Sequence, residues 1–244
     1  DAGALLGVIA GGDERDPTAL LDLVPDYLTS ADDGARHLRI GIDEDWNRRD
    51  VDDETAAILA EAITVFTALG ADVVPVRMPD VTQAIADWTP NCAIEAAVAH
   101  EATYARHKDQ YGAILSGVIE TGRALSATDY QKILLRRMEF RGRVNALFGT
   151  MDLLLTPVQP FAALSLADIS SLGAQPELIA KLQRYTCPFD MTGHPTITLP
   201  GGFTALGLPL GFQLVAPHLE EASLVRAGAA FQSATSWHQQ HPLA

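Results

Sequence analysis

The chain has 244 residues, enough for a globule that hides roughly 70% of the surface its unfolded form exposes. Apolar residues make up 48% and charged residues 20%, a balance that excludes an intrinsically disordered chain, and no run reaches the ~20 apolar residues that span a bilayer. Thirty-one acids against 17 bases give a net charge of −14, a field that repels phosphate backbones and speaks against nucleic acid as a partner.

In chain order, Asp1–Ala10 reads as a short apolar helix stopped by Gly11-Gly12. A start at Asp1, with no methionine and a helix already under way, reads as a truncated, cleaved or partly expressed polypeptide. Asp13–Ala35 is largely polar, carries Asp16-Pro17 and Pro25, and is expected to be an extended connector with room for one turn of helix. Leu38–Ile42 has strand character. Asp52 or Asp53 then caps a helix with Glu54 in its first turn, Ala56, Leu59, Ile63 and Phe66 at helical spacing, and Gly70 at its left-handed stop. Val73–Val76 follows as a second strand, which Pro75 pushes to a sheet edge. Strand, helix and strand in this order predict a βαβ crossover with parallel pairing.

From Asp80 to Gly149 the pattern is helical almost throughout, with a break or kink expected at Pro90. Gly122 and the Ser126–Asp129 capping region separate a middle helix from a long amphipathic one reaching about Phe148. Asp152–Thr156, closed by Pro157, reads as a central strand buried on both faces. Pro160–Ser171 is expected to be an irregular loop and Pro176–Arg184 a short helix. Thr196–Leu199 and Leu210–Val215 are two more strands, with Pro200 ending the first and a loop at 201–209 between them. Glu220–Thr235 closes the chain as a helix. No repeat or long linker divides the sequence, so the expectation is a single domain, 1–244, of α/β class.

Cys92 and Cys187 lie outside any Cys-x-x-Cys pattern and read as free, buried thiols in a reducing cytosol, so a cytoplasmic protein is expected. There is no His-Glu-x-x-His, no Gly-x-Ser-x-Gly elbow and no phosphate loop, so no metal and no cofactor are expected. His194, between Gly193 and Pro195, reads as a structural turn residue, and Asp190 beside it as an acid bonding nearby backbone N–H groups.

Four segments carry most of the remaining information. They are the opening D-A-G-A-L-L-G-V-I-A-G-G-D-E-R-D-P, D-L-L-L-T-P-V-Q at 152–159, R-Y-T-C-P-F-D-M-T-G-H-P-T-I-T-L-P-G-G at 184–202, and G-L-P-L-G-F-Q-L-V-A-P at 207–217. In this order and at these separations they resemble the carboxy-terminal half of amidase signature enzymes. That resemblance implies an α/β/α sandwich around a mixed central sheet, and hydrolysis of a small-molecule amide at its C–N bond. The family's machinery is a Ser nucleophile, a second Ser that relays the proton, and a Lys base, with backbone N–H groups of a Gly/Ser-rich loop on the oxyanion.

That machinery is missing from this sequence. The one Ser-Ser pair, Ser170-Ser171, stands between Ile169 and Leu172 with no glycines around it. Lys108, Lys132 and Lys181 all fall in helical surroundings and read as solvated surface. No catalytic residue is therefore expected here. The chain should instead carry walls of the substrate pocket, and the resemblance points to Thr156, Gln183, Thr186 and Phe189 as substrate-binding residues. Thr156 ends the central strand, where open α/β sheets present their ligand crevice. The expected partners are a small-molecule amide and the amino-terminal half of the same enzyme.

Two alternatives remain at this point. One is the glutamine-hydrolysing subunit of a tRNA-dependent amidotransferase. In this sequence Gln110 or Tyr111 and Gln183 stand where such subunits grip the glutamine zwitterion, and the missing cation would forgo a contact of ~1.5–3 kcal/mol. The other is a non-catalytic binding module, or a homodimer formed through the long helix Asp129–Gly149.

Overall fold

The computed structural model describes residues 1–16, 18–162 and 164–241; Pro17 of the expected connector lies outside them. Helix α1 (Ala2–Ile9) opens the chain, and the described residues from there to β1 (Arg39–Ile42) form turns with no helix or strand. The short α2 (Glu44–Asn47) and the long α3 (Asp53–Ala68) follow, then β2 (Asp72–Pro75). Four helices come next: α4 (Thr82–Ala99), α5 (Glu101–His107), α6 (Ala113–Ala124) and α7 (Ala127–Leu147). Beyond β3 (Leu153–Pro157) lie α8 (Leu166–Ser171), α9 (Pro176–Gln183) and α10 (Cys187–Thr192). The hairpin β4 (Thr196–Phe203) and β5 (Pro209–Val215) and helix α11 (Glu221–Ala234) complete the fold.

The five strands form one sheet in the order β2-β1-β3-β5-β4. β1 is parallel to β2 and to β3, while β5 is antiparallel to both β3 and β4. The expected βαβ crossover is therefore present, and β2 with its Pro75 lies at an edge. Every residue of β3 is buried, as its unbroken apolar run requires for a central strand. Successive side chains of β3 point to opposite faces. Leu153 and Leu155 join Phe66 of α3 and Phe231 of α11 on one side, and Leu154 joins Phe140 and Val144 of α7 with Phe189 of α10 on the other. Helices on both faces of a mixed sheet make an α/β/α sandwich.

Local chemistry fixes the helix ends. The Asp52 side chain accepts from Thr55 N at 2.7 Å to start α3, and Ser126 accepts from Asp129 N at 3.1 Å to start α7. Four expectations need correction. Pro90 does not break its helix, because α4 runs through it. Gly122 lies inside α6 rather than beyond it. The segment 160–171 is not wholly irregular, since Ser165 and Asp168 form a capping box that starts α8. Pro200 does not end β4; a register shift between Pro200 and Gly202 absorbs the missing donor, and the strand continues to Phe203.

α4 and α6 approach so closely at Gly122 that an added Cβ would lie 1.9 Å from the Ala93 carbonyl oxygen. Helix propensity alone would favour alanine there by about 1 kcal/mol, but overpacking costs about 1–3 kcal/mol. Gly122→Ala is expected to destabilise the chain in urea unfolding by about 1–3 kcal/mol; a stabilised variant would contradict the close approach.

Candidate functional site

In an open α/β sheet, ligands bind outside the carboxyl ends of the parallel strands. Here that edge is built from the turn after β1, the segment after β3, and the chain entering α10. The turn after β1 is held by Asp43, 4% exposed, which accepts from Trp46 N at 3.1 Å and from Met78 N at 2.7 Å. Asn47 then donates to the Leu155 carbonyl of β3 at 2.9 Å, and Asp52 N donates to the Pro160 carbonyl at 2.9 Å. The Tyr185 hydroxyl lies 2.8 Å from the Trp46 carbonyl and 2.7 Å from that of Arg49, so one proton serves two acceptors. Burial pushes its ionisation well above the usual phenol range. Asp50 accepts from Arg184 at 2.7 Å and pairs with Lys181 at 3.5 Å on the rim.

Gln213 of β5 sits at the middle of this arrangement. It pairs in register with Thr156 of β3 on one side and Thr198 of β4 on the other. Its buried carboxamide donates to the Pro157 carbonyl at 3.0 Å and to the Tyr185 carbonyl. Thr156 and Thr186 are thereby tied to one side chain, each through a neighbouring backbone carbonyl. Phe189, 2% exposed, packs in the same cluster as Tyr185 and Leu154, with its ring 6.2 Å from that of Trp46. Gln183 stands apart, half-buried at the end of α9. Several buried polar atoms here have no partner among the described residues: Thr156 Oγ1, Asn47 Oδ1, Trp46 Nε1 and Gln159 Oε1. A buried polar atom left unpaired costs about 1–3 kcal/mol, and Thr156 Oγ1 is the one of these atoms that belongs to a pocket residue expected from sequence.

Sequence reasoning places Thr156, Thr186 and Phe189 in this neighbourhood but misses Gln213, Asn47 and Tyr185. An amide inside the apolar run Leu210–Val215 was the available signal for Gln213, since buried polar groups exist to bond something. Other groups behave as surface. Lys108 pairs with Glu120 at 2.6 Å, Lys132 with Asp129 at 3.6 Å and Lys181 with Asp50, each with a side chain at least 44% exposed. Ser170 and Ser171 donate to carbonyls of their own helix. Asp190 is exposed and its carboxylate has no hydrogen bond to nearby backbone among the described residues, contrary to expectation. Among these residues, no cluster of three or more His, Cys, Asp or Glu could hold a metal, and no helix is long and apolar enough to cross a membrane.

Residues 1–225 match the family model described as Amidase. The chain belongs to the amidase family. It is 38% identical over 244 residues to the putative amidase AmiD of Mycobacterium tuberculosis, covering 99% of this chain and 50% of that protein. It is 30% identical over 268 residues to a glutamyl-tRNA(Gln) amidotransferase subunit from a Geobacter species, covering 98% and 53% respectively. The chain thus spans about half the length of these relatives. A solved bacterial aryl acylamidase of the amidase signature enzymes family superposes with a TM-score of 0.79 at 24% identity, over 99% of this chain and 54% of that one.

Behind the site, Gly193 closes α10 with φ at +74°. Buried His194 follows, with Nδ1 2.7 Å from Thr192 Oγ1 and its ring between Phe148 at 5.2 Å and His218 at 4.2 Å. Burial, with help from His218 and Arg141, lowers His194 to about 4 from the usual 6.5. The unfolded chain therefore binds the extra proton first, so stability is present above pH 6.5 and is lost as pH falls from 6.5 to 4. The contribution is on the order of 3 kcal/mol. Urea unfolding at pH 7 and pH 4.5 should show a smaller acid loss for His194→Gln than for the parent; an equal loss would contradict the assignment.

Proposed function

We propose that this chain is the carboxy-terminal portion of an amide hydrolase that cleaves the C–N bond of a small-molecule amide. It folds as a single domain and supplies walls of the substrate pocket, while the activated serine, its relay and the lysine lie in another portion of the enzyme. The observation that carries this reading is Thr156, fully buried at the end of the central strand with an unpaired hydroxyl, beside the Gln213-held turn that leads to Thr186. In this reading Thr156 and Thr186 offer hydroxyls to the substrate, Gln183 closes the rim, and Phe189 backs the wall from within the core. The surface ion pairs of the three lysines and the helix-bound hydroxyls of Ser170 and Ser171 fit the same reading, because a serine is inert until a base takes its proton. The two free thiols fit a reducing cytoplasm.

The amidotransferase reading has less support from this site. Tyr111, a candidate for the glutamine grip, has its hydroxyl 2.7 Å from Thr103 Oγ1 and 3.1 Å from His100 Nδ1. Neither Tyr111 nor Gln183 offers a cation to an α-carboxylate.

The 244-residue chain incubated with 4-nitroacetanilide is expected to release no 4-nitroaniline above the buffer rate. Turnover abolished by Ser170→Ala or Ser171→Ala would refute the division of labour. In the intact enzyme, Thr156→Val is expected to lower kcat/KM about tenfold, the worth of one lost hydrogen bond to a buried partner.

A further inference from the structure

We infer that Gln213 and Tyr185 are positioning residues for amide hydrolysis: one carboxamide and one phenol together set the geometry of the pocket wall. This rests on the reading that Thr156, Gln183 and Thr186 line the pocket, and it adds two residues that touch no substrate. Gln213 commits its amide hydrogens and Tyr185 its hydroxyl proton to backbone carbonyls, whereas the equally buried Thr156 hydroxyl has no such partner. Both are placed to hold backbone. The Gln213 amide spans from the Pro157 carbonyl, next to Thr156, to the Tyr185 carbonyl, next to Thr186. From the other end of the same residue, the Tyr185 hydroxyl reaches the carbonyls of Trp46 and Arg49, on either side of Asn47 and Arg48.

Three separate stretches of chain therefore meet through two adjacent links. No regular ladder does this work, because the turn at Arg49 and the chain at Tyr185 lie outside every strand. The carboxamide is suited to the task for a specific reason. Its NH2 group has two donors, enough for one on each carbonyl, and a hydroxyl or an acid would satisfy only one. Gln213 reaches them from an interior strand, paired on both sides by β3 and by β4, so the reference point is held by two ladders. Loss of either link leaves the core intact and lets a wall segment drift. A drift of about 1 Å can cost up to about 100-fold in rate.

The test uses the intact enzyme, assayed well below its melting temperature and normalised to folded active sites. Gln213→Met, which keeps length and removes both donors, is expected to lower kcat/KM about 10- to 100-fold, and Tyr185→Phe about tenfold. Gln213→Glu adds a signature that a purely structural role lacks. Its carboxyl regains one donor when protonated, so its kcat/KM relative to the parent should rise as pH falls, while that ratio stays flat for Gln213→Met. Gln213→Met combined with Thr186→Val should lose less than the product of the single losses, as residues acting through one another do. If Gln213→Met and Tyr185→Phe melt earlier yet keep kcat/KM within twofold of the parent, the inference is wrong. Should Gln213→Met not fold, Tyr185→Phe decides alone, since it deletes one oxygen and leaves the ring in place. If instead Thr156→Val, Gln183→Ala and Thr186→Val all leave the kinetics unchanged, the pocket reading beneath it fails first.

Discussion

A strand taken out of water on both faces must find partners for its backbone groups, and β3 draws them from the ladders to β1 and β5 and from Asn47 and Gln213, whose side chains donate to the Leu155 and Pro157 carbonyls. Its five residues are all buried, and the helical layers on either side are organised against its alternating leucines. The direction of chain changes at this strand. On one side the neighbour runs parallel, so carboxyl ends and the loops that follow them are gathered at one edge. On the other side the neighbour is antiparallel, and a long Gln213 side chain comes back to that same edge. The candidate site exists because a parallel and an antiparallel neighbour meet on β3 at Thr156.

The electrostatics of the molecule divide in the same way. Its excess of negative charge sits in solvated ion pairs and helix caps, such as Asp129, which Ser126 and Lys132 hold below the usual carboxylate range. Arg39 likewise holds Asp152 low at the start of β3. Inside, the polar groups are mostly neutral: an amide, a phenol, hydroxyls and imidazole, with Cys187 pushed up to about 12 by burial. The proposed pocket residues Thr156, Gln183, Thr186 and Phe189 are uncharged, which suits an uncharged amide, while the charges around them, Asp43, Asp50, Lys181 and Arg184, are bonded to backbone N–H groups or to one another.

How much of this was legible in the sequence depended on whether a signal was local. The run at 152–156 identified a central strand because apolar residues at every position leave no solvent face. The crossover from β1 through α3 to β2 followed from a cap, a helical period and Gly70. The short α10 escaped notice, since six residues give no period, although Pro188 at its start and Gly193 at its end are capping signals. Pro200 misled because a register shift, invisible in sequence, lets β4 continue. The candidate edge was half legible. Thr156 drew attention by its place at a strand end, while Gln213, Tyr185 and Asn47 bond across more than 25 residues of intervening chain, and no spacing rule encodes such pairs.

The proposal puts the wall and the nucleophile in different portions of the enzyme, and a tetrahedral adduct locates both at once. An aryl boronic acid forms such an adduct on an activated serine, so a crystal structure of the intact enzyme soaked with one is the most direct measurement. The boron is predicted on a serine outside these 244 residues, with the aryl group in contact with Thr156, Thr186 or Gln183. Boron on Ser170 or Ser171, or an aryl group touching none of the three, would contradict it.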